Sequence, residues 1–149
     1  GPDGPVPMPA TWDDVEALNP DEAPPFDQNL VDKELEVLWK YFDEDTKEPH
    51  LIWAPMRVKR IADGLTDERT KLARTLLPAG AVLVAWEADP AYDEAAGEMW
   101  LTLLPKRWKK QQHYSWRYAP SELARMRGLQ IPERRQQPPE RANLRRADK

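Results

Sequence analysis

The chain has no cysteine, and that absence removes two large classes of protein. A disulfide-stapled scaffold is excluded, and so is every metal site built on thiolates. With only two histidines, His50 and His113, a zinc centre is short of imidazole ligands. Glycine is scarce as well. None of the six is spaced as GxGxxG or as a P-loop, so the backbone cradles that hold nucleotide phosphates are missing. No serine stands in a Gly-x-Ser-x-Gly elbow, and there is no thiol to take its place as a nucleophile. No apolar run approaches the ~20 residues that span a bilayer, and no signal-peptide core is evident. The expectation is a soluble, intracellular, monomeric protein that is not an enzyme, with no metal, no cofactor and no membrane partner.

What is present is unevenly distributed. Hydrophobic residues are 40% of the 149, and the sixteen prolines gather at the ends, with seven of them in residues 1–25. Charge runs in a gradient. Residues 1–32 carry eight acidic side chains and no basic one, whereas residues 106–149 carry thirteen basic and four acidic. Three parts follow: an acidic, proline-rich arm over 1–32, largely disordered; a folded unit over 33–128; and a basic disordered tail over 129–149. The apolar residues of the arm can dock on the folded unit, and Thr11 can cap a helical turn through Leu18.

The folded unit reads as short strands. In Leu35–Phe42, Leu35, Val37, Trp39 and Tyr41 share one face by the period of two. A polar turn over 43–49 leads into a second strand from His50, with a bend or bulge expected at Ala54-Pro55. Leu65 to Leu77 has the spacing of a short inserted helix. Ala81–Glu87, Glu98–Leu104 and Tyr114–Tyr118 supply further strands, and Ser121 is placed to cap a helix running to about Leu129. Five short, bent strands in about a hundred residues suit a small closed barrel, which leaves no exposed sheet edge.

Seven tryptophans are the surplus to be explained, and six lie between Trp39 and Trp116. Trp39, Trp53 and Trp86 each fall at a strand end beside a turn, and the acidic loop after Trp86 holds Glu87, Asp89 and Tyr92. Two readings stay open. The rings fill a small core, or they converge with a carboxylate as a box for a methylated ammonium, each ring contributing ~0.5–2 kcal/mol by cation–π attraction. Asp43, Glu44, Asp45 and Glu48 form a solvated turn without the EF-hand pattern. Asp89, Asp93, Glu94 and Glu98 include no pair set in a cleft, so hydrolysis is the weaker reading of that loop.

The order Val37-Leu38-Trp39, polar hairpin, Ile52-Trp53-Ala54-Pro55-Met56-Arg57-Val58, then Val82-Leu83-Val84-Ala85-Trp86 with Asp89 and Tyr92 beyond, resembles the Tudor-type modules of the Royal family. The likeness covers roughly residues 35–105. It implies a mostly β, SH3-like five-stranded barrel, here with an inserted short helix and a C-terminal helix. It also implies an aromatic cage of Trp39, Trp53, Trp86, Asp89 and Tyr92 that reads methylated lysine or arginine in a histone tail or other peptide. Chromatin and the nucleus are the implied setting. The sequence departs from the family in its long first hairpin, in the insertion over 62–80 and in a longer loop from Trp86 to Tyr92, where Glu87 is an alternative acid.

The basic C-terminal third supports a second function. Lys106, Arg107, Lys109, Lys110 and Arg117 interleave with Trp108, Tyr114, Trp116 and Tyr118, a mixture suited to phosphates and bases. The bland alternative has Trp108 and Trp116 packing the barrel end beneath a solvated charged face. A third reading is a domain of a larger protein that binds an unmodified peptide.

Overall fold

A computed structural model describes residues 12–62, 81–90, 94–129 and 144–146. Tyr92 and the helix expected from Leu65 to Leu77 lie outside the described residues.

The fold is mostly β: one curled antiparallel sheet with two helices against it. Strand β1 is Glu34–Asp43, β2 Pro49–Ile61, β3 Ala81–Trp86, β4 Gly97–Thr102, β5 Trp116–Tyr118 and β6 Leu144–Arg146. Helix α1 is Trp12–Glu16 and α2 is Pro120–Arg127. The strands run β4-β3-β2-β1-β5 across the sheet, and β6 also pairs with β1. Consecutive strands β1 to β4 form a meander, and β5 returns to the other side of β1.

The period of two sets the inner face. Leu35, Val37, Trp39 and Tyr41 of β1 are all buried, opposite Met56, Ala54, Ile52 and His50 of β2. The β1–β2 turn is closed by the Asp43 carboxylate, which accepts the N–H groups of Asp45 at 2.8 Å and Thr46 at 3.0 Å. Those bonds, Thr46's first, hold the Asp43 carboxyl below the usual carboxylate range.

Pro55 does not interrupt β2, and the irregularity falls instead between Val58 and Arg60. The reason is placement. Pairing of β2 with β3 begins at Arg57, so at Pro55 the strand is laddered on one side only, and a residue without N–H is tolerated there.

Described stretches of both the arm and the tail pack on the sheet. In the arm, α1 and a 3-10 turn at Gln28–Leu30 put Val15 and Leu30 into the core. Phe26 stacks on Trp116 at 5.6 Å, and the Trp108 indole donates to the Pro20 carbonyl at 2.9 Å. Individually weak apolar residues suffice once a formed sheet offers them a surface. In the tail, residues 144–146 form β6, antiparallel to Tyr41–Asp43. The outer edge of β1 is therefore covered twice, by β5 at Leu35–Val37 and by β6 further on.

Helix α2 begins with Pro120 at its first turn and ends at Gly128, whose φ of 67° is the left-handed cap conformation. Ser121, expected as the cap, instead donates its hydroxyl to the Glu34 carboxylate. Glu122 is buried beneath it. Burial by itself would raise its carboxyl's pKa, but the Arg125 guanidinium at 2.5 Å and the Glu34 N–H at 2.8 Å outweigh that and lower it.

Trp108 and Trp116 are core residues, packed edge to face at 4.8 Å. Among the described residues no helix is long and apolar enough to cross a membrane, and no cluster of three or more His, Asp or Glu could hold a metal ion.

Candidate functional site

The ring pair at one end of the sheet is Trp39 and Trp86. Both belong to the inner face: Trp39 by alternation with Val37 and Leu35, Trp86 by alternation with Val84 and Val82. Trp39 is 0% exposed. His113 and Tyr114 meet its indole edge to face at 5.3 Å and 5.1 Å. Tyr114 reaches that position with a φ of 72°, an uncommon conformation for a side-chain-bearing residue, fixed by the bond of its N–H to the Leu38 carbonyl at 2.8 Å. The half-buried His113 imidazole has its pKa pushed down by desolvation.

Trp86 is positioned by two contacts on β4. It pairs across the ladder with Gly97, where an added Cβ would stand 2.8 Å from the indole Cζ2, so the ring lies flat over bare backbone. Its Nε1–H donates to the Ala95 carbonyl at 3.0 Å.

A guanidinium fills the space against both rings. The Arg146 Cζ lies 4.4 Å from the Trp39 ring centroid and 4.2 Å from that of Trp86. Its Nη1 donates to the Glu94 carboxylate at 2.5 Å, with the two side chains 9% and 14% exposed. Glu94 is held there by a two-way backbone bridge to Asp89, at 2.8 Å and 3.1 Å. Arg146 arrives through β6: it pairs with Tyr41, so it points to the inner face, and Leu144 does likewise. Two indoles and a carboxylate around a flat cation constitute a cation–π site.

The structure thus brings Trp39 and Trp86 together and separates Trp53 from them. Trp53 pairs with Leu38, not with Trp39, which puts it on the opposite face of the sheet. There Arg117 covers it at 3.9 Å, and the same guanidinium pairs with Glu36 at 2.9 Å and Glu16 at 3.6 Å. Asp89 contributes the backbone bridge that holds the acid, while the acid at the rings is Glu94. Glu87 is exposed.

The basic residues expected to face nucleic acid are partly engaged within the fold. Arg117 serves Trp53 and its two glutamates. Arg107 donates to the His113 carbonyl at 2.8 Å, and Lys109 lies 3.5 Å from Asp21. Lys106 and Lys110 are exposed.

Sequence reasoning missed Arg146 and undervalued Glu94. The available signal was Leu144-Arg145-Arg146, an apolar residue and a cation two apart in a polar tail, which is one period of a strand. No protein-family model matches this chain, and no curated protein or solved structure matches it either.

Proposed function

We propose that this chain is a non-catalytic binding module whose Trp39–Trp86–Glu94 site takes the cationic side chain of a peptide, a methylated lysine or arginine such as histone tails carry. A Tudor-type, SH3-like barrel acting on chromatin belongs to the same reading. The meander β1 to β4 with β5 returning to β1 is compatible with it.

The observation that carries the proposal is the Arg146 guanidinium, held against two indoles and bonded to one carboxylate. A site that accommodates one side-chain cation has the shape and charge for another. Its polarity also suits methylation. The Nε and Nη2 of Arg146 are buried without a hydrogen-bond partner, so a methyl group on Nη2 would displace no bond. Methylated cations also lose less hydration on entering an aromatic site.

The test is titration of the wild-type chain with histone-tail peptides in unmodified and methylated forms, followed by calorimetry. Selectivity for methylated forms, lost in Trp86→Ala, is expected. Trp86 is the residue of choice because Trp39→Ala would remove a fully buried indole and cost about 3–5 kcal/mol of stability. Equal affinity across the set, or none, would sink the reading.

A further inference from the structure

The cage is filled by the chain's own backbone extension, and the manner of filling describes a ligand. β6 is only three residues long, and it adds to β1 as an antiparallel strand at Tyr41–Asp43. Alternation sends Leu144 into the core cluster and Arg146 to the rings, while Arg145 turns outward to Glu44 at 3.4 Å. Two acids line this groove, Glu44 beside Arg145 and Glu94 beside Arg146. The groove is therefore matched to an extended basic segment with an aliphatic residue two places before an arginine.

The occupant is also short, anchored chiefly by Leu144 and by the Arg146 ion pair. Three residues of ladder are few, and two buried nitrogens of Arg146, Nε and Nη2, forfeit the hydrogen bonds their N–H groups had in water. Short segments with few bonds open locally without unfolding the rest.

We infer that the β1 edge at Tyr41–Asp43, together with Trp39, Trp86 and Glu94, docks a partner's extended peptide of the pattern aliphatic–any–arginine by strand addition, and that Leu144–Arg146 is a cis occupant which the partner strand displaces. The inference rests on reading the ring pair as a binding site, and adds to it the backbone mode, the sequence pattern and the competitor. Residues 144–146 act on the site as a tethered competitor, lowering apparent affinity by the fraction of time the groove is closed.

The probe is a fluorescein-labelled synthetic peptide spanning residues 141–149, titrated by anisotropy into the full-length chain. The second protein is the full-length Leu144→Ser/Arg146→Glu variant, in which a carboxylate facing Glu94 evicts the cis strand. The variant is expected to bind the peptide at least about tenfold more tightly than wild type, and a peptide carrying Arg146→Ala at least about tenfold more weakly. Binding no tighter than wild type, or indifference to the peptide's arginine, overturns the inference. So does a wild-type dimer in sedimentation with tails exchanged between copies, because the occupant is then a second chain.

Hydrogen exchange on the wild-type chain decides the matter even if the variant fails to fold. Amides of residues 144–146 should exchange at least about a hundredfold faster than those shared by β1 and β2. Exchange of both sets only on global unfolding makes β6 a permanent strand and refutes displacement. Methylated histone peptides that bind wild type and variant with equal affinity leave the ring pair as a reader while removing the tail as its competitor. Peptide 141–149 binding without any methyl preference in the histone set does the reverse.

Discussion

Replacing Arg146 by alanine removes the cation that both indoles face, and the structure fixes the size of the effect. Two ring contacts contribute ~0.5–2 kcal/mol each. The charge-assisted bond to Glu94 contributes ~1.5–3 kcal/mol at a pair that is 9% and 14% exposed. Against this, the cost of ordering the arginine side chain, about 2 kcal/mol of rotamer entropy, is no longer incurred, and neither is the lost hydration of its two unpartnered nitrogens. The net loss is about 2 kcal/mol, which for a chain of 149 residues lowers Tm by about 6–8 °C. Arg146→Lys should recover less than half, since a compact ammonium cannot lie flat against two rings. The deciding measurement is a double-mutant cycle of Arg146→Ala with Trp86→Ala by urea denaturation. A coupling of about 1 kcal/mol is expected, and additivity within ~0.3 kcal/mol would refute the contact. If about 2 kcal/mol also measures how firmly β6 is held, the groove stands open about 3% of the time, and evicting the tail raises affinity roughly thirtyfold, above the tenfold minimum expected.

Three further outcomes are expected. Gly97→Ala places a Cβ 2.8 Å from Trp86 Cζ2 and should cost about 1–3 kcal/mol while moving the indole N–H resonance of Trp86, so an unchanged resonance contradicts the packing. The depressed His113 pKa means that the unfolded chain takes up this proton first. The contribution is present above the unfolded value of about 6.5 and is lost as pH falls below it. Urea midpoints should drop from about pH 7.5 to about pH 5.5, and His113→Gln should remove that part of the slope. Trp53→Ala should leave peptide affinity within about twofold, in contrast to Trp86→Ala, because Trp53 lies on the other face under Arg117; equal losses would return Trp53 to the site.

Much of the architecture was legible in the residues because it is local. Alternation in Leu35–Tyr41 marked β1 and its buried face, the run Ala81–Glu87 marked β3, and the helix expected from Ser121 to about Leu129 is α2, which ends at the Gly128 cap. The packed state of Trp108 and Trp116 was one of two open readings, and the arm's Val15, Leu30 and Phe26 decided it by closing over them. Half of the ring pair's address was legible too. Trp86 stands at the end of β3 as expected, whereas Trp39 lies inside β1 rather than at its end, and each one's face follows from its own strand. Which of the three candidate rings share a face does not follow, since it depends on the hairpin register.

The sequence by itself determined β1 with its inner face, β3, β4 and β5, and the absence of thiolate and phosphate-loop chemistry, because each depends on neighbours within a few positions. Only the tertiary structure decided that Trp39 pairs with Ile52 rather than Trp53, and one residue of register is enough to send a ring to the opposite side of a sheet. It alone decided that an arginine more than a hundred positions from Trp39 in the chain would fill the space between that ring and Trp86. Strand addition is encoded by an open backbone edge that any short extended segment can meet, and no local pattern in Leu144–Arg146 names the edge it will find.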